Sequence, residues 1–111
     1  MLQYECMPHT IIESNLQDDN LYFRINTPRL DAATAREFKT ECSEHWNPGV
    51  QRLTINMAMV DFLDSSGIGA LLSLYKQLTR PQSTMRLIDV KPAVQSVLEL
   101  MRMHRVFEIL A

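Results

Sequence analysis

Two β-type runs bracket a helix-period segment, and that alternation constrains the chain more than any other feature. Leu53 to Asn56 reads as a short strand that runs into a largely apolar segment, Met57 to Leu63. Ile68, Leu71, Leu72, Tyr75 and Leu78 then fall on one face of a helix that begins around Ser66, and Pro81 ends it. Met85 to Val90 reads as strand again. Strands that alternate with helices imply a sheet with parallel crossovers.

The flanks extend the pattern. Thr10 to Glu13 and Leu21 to Ile25 are β-type runs, and the polar stretch Asn15 to Asn20 between them predicts a hairpin. Asp31 is placed to N-cap a first helix, on which Ala35, Phe38, Cys42 and Trp46 mark an apolar stripe before Asn47-Pro48-Gly49 stops it. Pro92 suits the first turn of a third helix lined by Val94, Val97, Leu98 and Met101. The tail, Val106 to Leu110, is apolar enough to dock. The order is β-β-α-β-α-β-α: an α/β fold with a mixed, mainly parallel, four-stranded sheet. In such sheets sites gather beyond the carboxyl ends of strands. Those loops are Thr27 to Asp31, Met57 to Ser65 and Asp89 to Pro92.

The chain's 111 residues suit one domain, 1–111, with one modest core. A formal net charge of −2, with no basic run, argues against direct nucleic-acid binding. No apolar stretch approaches the roughly 18–20 residues that span a bilayer. Met1 to Thr10 lacks the marks of a secretory signal. Two cysteines, Cys6 and Cys42, make no disulfide framework, so a cytoplasmic chain with free thiols is expected.

The segment that bears chemistry is Asp61-Phe62-Leu63-Asp64-Ser65-Ser66-Gly67-Ile68-Gly69, at a strand-to-helix junction. Ser65 or Ser66 is placed to cap the helix. Gly67 and Gly69 each cost about 1 kcal/mol of helix propensity relative to Ala. Their missing side chains permit close approach, either by a partner surface or by the chain's own sheet. A helix N-terminus also favours negative charge. Phosphate on Ser65 would add about −1.5 to −2 charge there. Beside Asp64, and with Asp31 on a neighbouring loop, that charge would build a negative patch.

The run LTINMAMVDFLDSSGIGALLSLYKQL, Leu53 to Leu78, resembles the core of the STAS family. Asp31 to Phe38 resembles the family's first-helix opening, and Lys91 to Phe107 its C-terminal helix and tail. The resemblance implies a phosphorylation-controlled binding module of the anti-sigma-factor-antagonist branch, not an enzyme, with no cofactor. It implies that Ser65 is the phosphorylated serine, with Asp31 and Asp64 as the aspartates near it. It implies an anti-sigma factor with serine kinase activity, or a related regulator, as partner, and a PP2C-type phosphatase that reverses the mark. The expected partner face comprises Asp31, Asp64, Ser65, Ser66, Gly67, Gly69, Ala70 and Leu74. Leu74 lies with Ala70 and Gln77 off the main apolar stripe, and it is either ordinary packing or part of an exposed patch beside Ser65. The chain departs from the family at Thr27-Pro28-Arg29-Leu30, where glycine often stands before the Asp31 position. It departs again at Pro81-Gln82-Ser83-Thr84, where a glycine pair is common, and at Asn56, often Asp.

Other functions fit less well. A serine hydrolase would need a base and an acid beside Ser65 or Ser66, and the G-x-S-x-G elbow is absent. His9, His45 and His104 lie outside the motif loops. Cys42-x-x-His45 has no second ligand pair at zinc spacing, so Cys42 reads as core and His45 as surface. Gly67-x-Gly69 is not a dinucleotide fingerprint, because Leu72 fills the third glycine position. Within the family, a stress-signalling scaffold or a lipid-transport accessory subunit is the alternative. The intact Asp64-Ser65-Ser66-Gly67 favours the switch.

Overall fold

The computed structural model describes residues 11–78 and 83–111, so Cys6, His9, Thr10 and Pro81 lie outside the described residues. The described strands are β1 (Ile12–Gln17), β2 (Asn20–Ile25), β3 (Arg29–Leu30), β4 (Arg52–Asn56), β5 (Phe62–Leu63), β6 (Thr84–Ile88) and β7 (Glu108–Ile109). The helices are α1 (Ala35–Glu44), α2 (Ser65–Gln77) and α3 (Pro92–Leu100), followed by a single 3-10 turn, Met103–Arg105.

The main sheet has five strands in the order β1-β2-β4-β6-β7, all parallel except the β1–β2 hairpin. The four-stranded expectation is one strand short. The apolar tail does dock, and it does so as a strand: Leu110 N–H donates to the Leu87 carbonyl at 2.8 Å, and Val90 N–H to the Leu110 carbonyl at 3.1 Å. This covers the polar backbone that β6 would otherwise expose at the sheet edge. Phe107, buried in the core, anchors it.

The hairpin turn is also tighter than its polar sequence suggests. Asn15, Leu16 and Gln17 belong to β1, whose ladder runs from Ile12 opposite Ile25 to Gln17 opposite Asn20. Only Asp18 and Asp19 remain to turn, with Asp18 at φ 56°. Every β1 residue after Ile12 is exposed, so no apolar alternation marks the strand. The Glu41 carboxylate of α1 ties the hairpin down by accepting the Ile11 N–H at 2.9 Å.

Alternate strand residues are buried: Leu21, Phe23 and Ile25, then Leu53 and Ile55, then Met85 and Leu87. They share one core with Phe38 of α1, Leu71 of α2 and Leu98 of α3. Arg24, Arg52 and Arg86 point from the opposite, exposed face. Ala35, Phe38 and Cys42 form the expected α1 stripe, with half-buried Trp46 packed against it. Cys42 is a free thiol that burial pushes well above the usual range, and His45 is exposed. Pro92 opens α3 as expected. Met101, expected on its apolar side, lies past the helix end and is exposed.

Candidate functional site

The site is organised by two strands of two residues each. Leu30 of β3 pairs with Leu63 of β5 in parallel register, so the next residues, Asp31 and Asp64, leave side by side. The first turn of α2 rests directly on β3. A Cβ placed on Gly67 would lie 2.2 Å from the Leu30 carbonyl oxygen and 2.7 Å from Leu63 Cδ1. Only glycine fits there. The close approach at Gly67 is thus made by the chain's own backbone, not by a partner. Gly69 differs, since a Cβ there would meet nothing within 4 Å.

Asp64 caps α2. Its backbone is extended (φ −119°, ψ −172°), and its Oδ1 accepts the Gly67 N–H at 3.1 Å. The serines expected to cap are therefore displaced one step, into the first two helical positions. Asp64 reaches the third amide, which leaves both hydroxyls outside the capping network. Ser65 is exposed and Ser66 half-buried.

Asp31 also caps, but one turn earlier than α1 itself. Its Oδ1 accepts the Ala33 N–H at 3.0 Å, and its carbonyl accepts the Ala35 N–H at 2.8 Å. The N-cap position of α1 belongs to Thr34, whose hydroxyl accepts the Asp31 N–H at 3.0 Å. Arg29 completes this turn. Its Nε lies 3.0 Å from Asp31 Oδ2, and its guanidinium stacks 4.2 Å above the Phe62 ring centroid. Hydrogen bonding to Arg29 is the main cause that holds the Asp31 carboxyl below the usual carboxylate range. Partial desolvation opposes it, and the Ala33 N–H adds to it.

The third loop joins from β6. Lys91 forms an ion pair with Asp61, and Asn56 Nδ2 donates to Asp89 Oδ2 at 3.1 Å. The Pro28 carbonyl accepts the Asp61 N–H at 2.7 Å. All three loops expected beyond the strand ends therefore meet. Residues 12–111 match the description of the STAS domain.

The chain belongs to the STAS family.

Its relatives carry the name that the sequence resemblance implies. BtrV of Bordetella bronchiseptica, named "Putative anti-sigma factor antagonist", is 25% identical over 80 residues, 72% of this chain and 69% of that one. A Thermotoga maritima protein, tm1081, described in the same words, superimposes with a TM-score of 0.79 at 21% identity, covering 93% of this STAS chain and 88% of its own. The anti-sigma factor antagonist SpoIIAA in its unphosphorylated form gives a TM-score of 0.71 at 18% identity, covering 88% of this chain and 86% of its own. The Bacillus SpoIIAA structure in the phosphorylated form gives 0.64 at 17%, covering 88% and 89%.

Within this STAS domain the expected partner face divides. Asp31, Asp64, Ser65, Ser66 and Gly69 lie together at the surface, half-buried or exposed. Gly67 and Ala70 are buried, and Leu74 is only 1% exposed. The idea of an apolar patch at Leu74 fails, because Leu74 packs inward with Ile68 and Leu71. Tyr75, expected in the core, is instead 39% exposed and meets the buried Phe107 ring edge-on at 6.0 Å. Sequence reasoning missed Arg29 and Phe62, which stack across a ladder that only the fold creates.

No helix among the described residues is long and apolar enough to cross a membrane. His104, like His45, is exposed and belongs to none of the loops that meet at Ser65.

Proposed function

We propose that this STAS domain is a phosphorylation-controlled binding switch in the cytoplasm. The unphosphorylated form binds an anti-sigma factor with serine kinase activity, or a related regulator. Partner-bound ATP gives its γ-phosphoryl group to Ser65 Oγ, ADP leaves, and the hydroxyl proton passes to a base on the partner. A PP2C-type phosphatase hydrolyses the phosphoserine, water taking the phosphoryl group as inorganic phosphate and the serine hydroxyl being restored. One observation carries this reading: Asp64 takes the capping role, so the exposed Ser65 hydroxyl stands free at the helix start.

The surroundings support a switch by charge. A phosphate of about −1.5 to −2 charge at a helix N-terminus is tolerated by the helix dipole, so the fold survives it. The negative patch expected around it is already compensated: Asp31 pairs with Arg29, Asp61 with Lys91, and Asp64 accepts a helix amide. A phosphate then adds the largest single charge to this face. A change of only about 1.4 kcal/mol in binding alters affinity tenfold.

Phosphopeptide mass spectrometry on the protein recovered from its own cells tests the acceptor. Phosphate on Ser65, lost in Ser65→Ala, is expected. Binding tests the consequence. Ser65→Ala retains the partner constitutively, while Ser65→Asp and Ser65→Glu bind at least tenfold more weakly. Equal binding by all three variants would overturn the switch.

A further inference from the structure

The groove between α1 and α2 opens beside the turn that holds Ser65 and Ser66. Ala32, Ala35, Gly69 and Ala70 line it with small side chains, together with Ser66, Arg36 and Lys39. Gly69 leaves the groove unfilled, with open space where a Cβ would stand.

The two cations on its rim are unbalanced. Neither Arg36 nor Lys39 forms an ion pair among the described residues; of the loop acids, Asp31 and Asp61 have cationic partners, while Asp64 and Asp89 are bonded only to neutral donors. The helical neighbours four residues away are Ala32 and Thr40 for Arg36, and Ala35 and Ser43 for Lys39. None is acidic. Arg36 and Lys39 stand three apart on α1, where like charges repel. The helix therefore carries two exposed positive charges beside a shallow groove whose lining holds no acidic residue, while the helix's own acids are Glu37, Glu41 and Glu44, the last sharing a neighbouring depression with Lys39.

We infer that this groove seats an acidic segment of the partner, whose carboxylates pair with Arg36 and Lys39. The inference rests on the switch reading and deepens it. Ser66 lines the groove and Ser65, which does not, directly precedes it at the start of α2; in this reading a phosphate on Ser65 adds a competing anion at that end of the groove. Phosphorylation then weakens the complex by occupying the partner's counter-charge, not by repulsion between carboxylates.

The test uses the full chain in its Ser65→Ala form and the purified protein that this form retains. Arg36→Glu/Lys39→Glu lowers affinity tenfold or more and flattens its dependence on salt, because the rim contributes the screened attraction. Lysines in place of the partner's acidic residues restore binding to that double variant. Gly69→Phe fills the groove without touching a charge and also weakens binding tenfold. A thermal melt confirms each variant's fold, with Arg36→Gln/Lys39→Gln as the milder pair. An affinity loss smaller than tenfold in folded variants would overturn the groove. If Ser65→Asp still blocks binding in that case, the switch itself stands. If Ser65→Asp binds as Ser65→Ala does, the switch fails whatever the groove variants show.

Discussion

The turns that lead into α1 and α2 are built to the same plan and finished differently. Each follows a two-residue parallel strand, and each begins with an aspartate whose carboxylate accepts a backbone N–H two or three residues on. At Asp31 the plan is closed. Arg29 and Thr34 engage the same turn, and the aspartate's charge is matched. At Asp64 the cap is made and nothing covers the next side chain, Ser65. Structure is secured at both turns, and only one leaves a hydroxyl free. The serine proposed as acceptor needs no special geometry. It needs a neighbour that has taken over the structural duty.

The largest effect should come from the joint between these turns. Gly67→Ala drives a methyl group into the Leu30 carbonyl. It should cost about 3 kcal/mol, the upper end of ordinary overpacking. For a domain of this size that lowers the melting temperature by about 10 °C or more. A melt within a few degrees of wild type would show that β3 and α2 are not locked. Next comes the cap. Asp64→Ala should destabilise by about 1 kcal/mol, and Asp64→Asn, which still accepts, by much less. Equal losses would mean the cap is not what Asp64 provides.

Gly69→Ala is the control for Gly67 and has the opposite sign. With nothing near its added methyl, it should gain up to about 1 kcal/mol from helix propensity. A loss of stability would refute the open space above Gly69. The smallest effect is a pH dependence at Asp31. The Asp31 carboxyl is held low, so its favourable contribution is present above its unfolded value and is lost as pH falls through the folded value. Arg29→Ala removes the main cause, and a carbon-detected NMR titration should then follow the Asp31 carboxyl upward. An unmoved titration would mean that the Ala33 amide, not Arg29, sets it.

Much of this was legible in the chain because it obeys local periodicity. The stripe Ala35, Phe38, Cys42 and the start of α3 at Pro92 needed only spacing and proline geometry. The parallel crossovers followed from element order. The Asp64-Ser65-Ser66-Gly67 turn was visible, but not which residue caps, since serine and aspartate are near equals at that position. Helix α2 misled because it is apolar on two adjoining stripes. Ile68, Leu71 and Leu74 face the core, while Tyr75, near the helix end, keeps one edge in solvent against Phe107. The Gly67-Ala70-Leu74 run, small residues leading to a leucine at spacings of three and four, was the signal for the true inner face. The ladder of β3 on β5 left no local trace. Two residues are too few for alternation, and the Arg29–Phe62 stack joins positions far apart in sequence.

The contact of Gly67 with the Leu30 carbonyl also bears on timing. A joint with no spare volume has no second arrangement to relax into. In the proposed switch a mark on the neighbouring turn would be complete as soon as the covalent bond forms, kinase and phosphatase would meet the same shape, and any delay would lie with the enzymes and with dissociation of the partner.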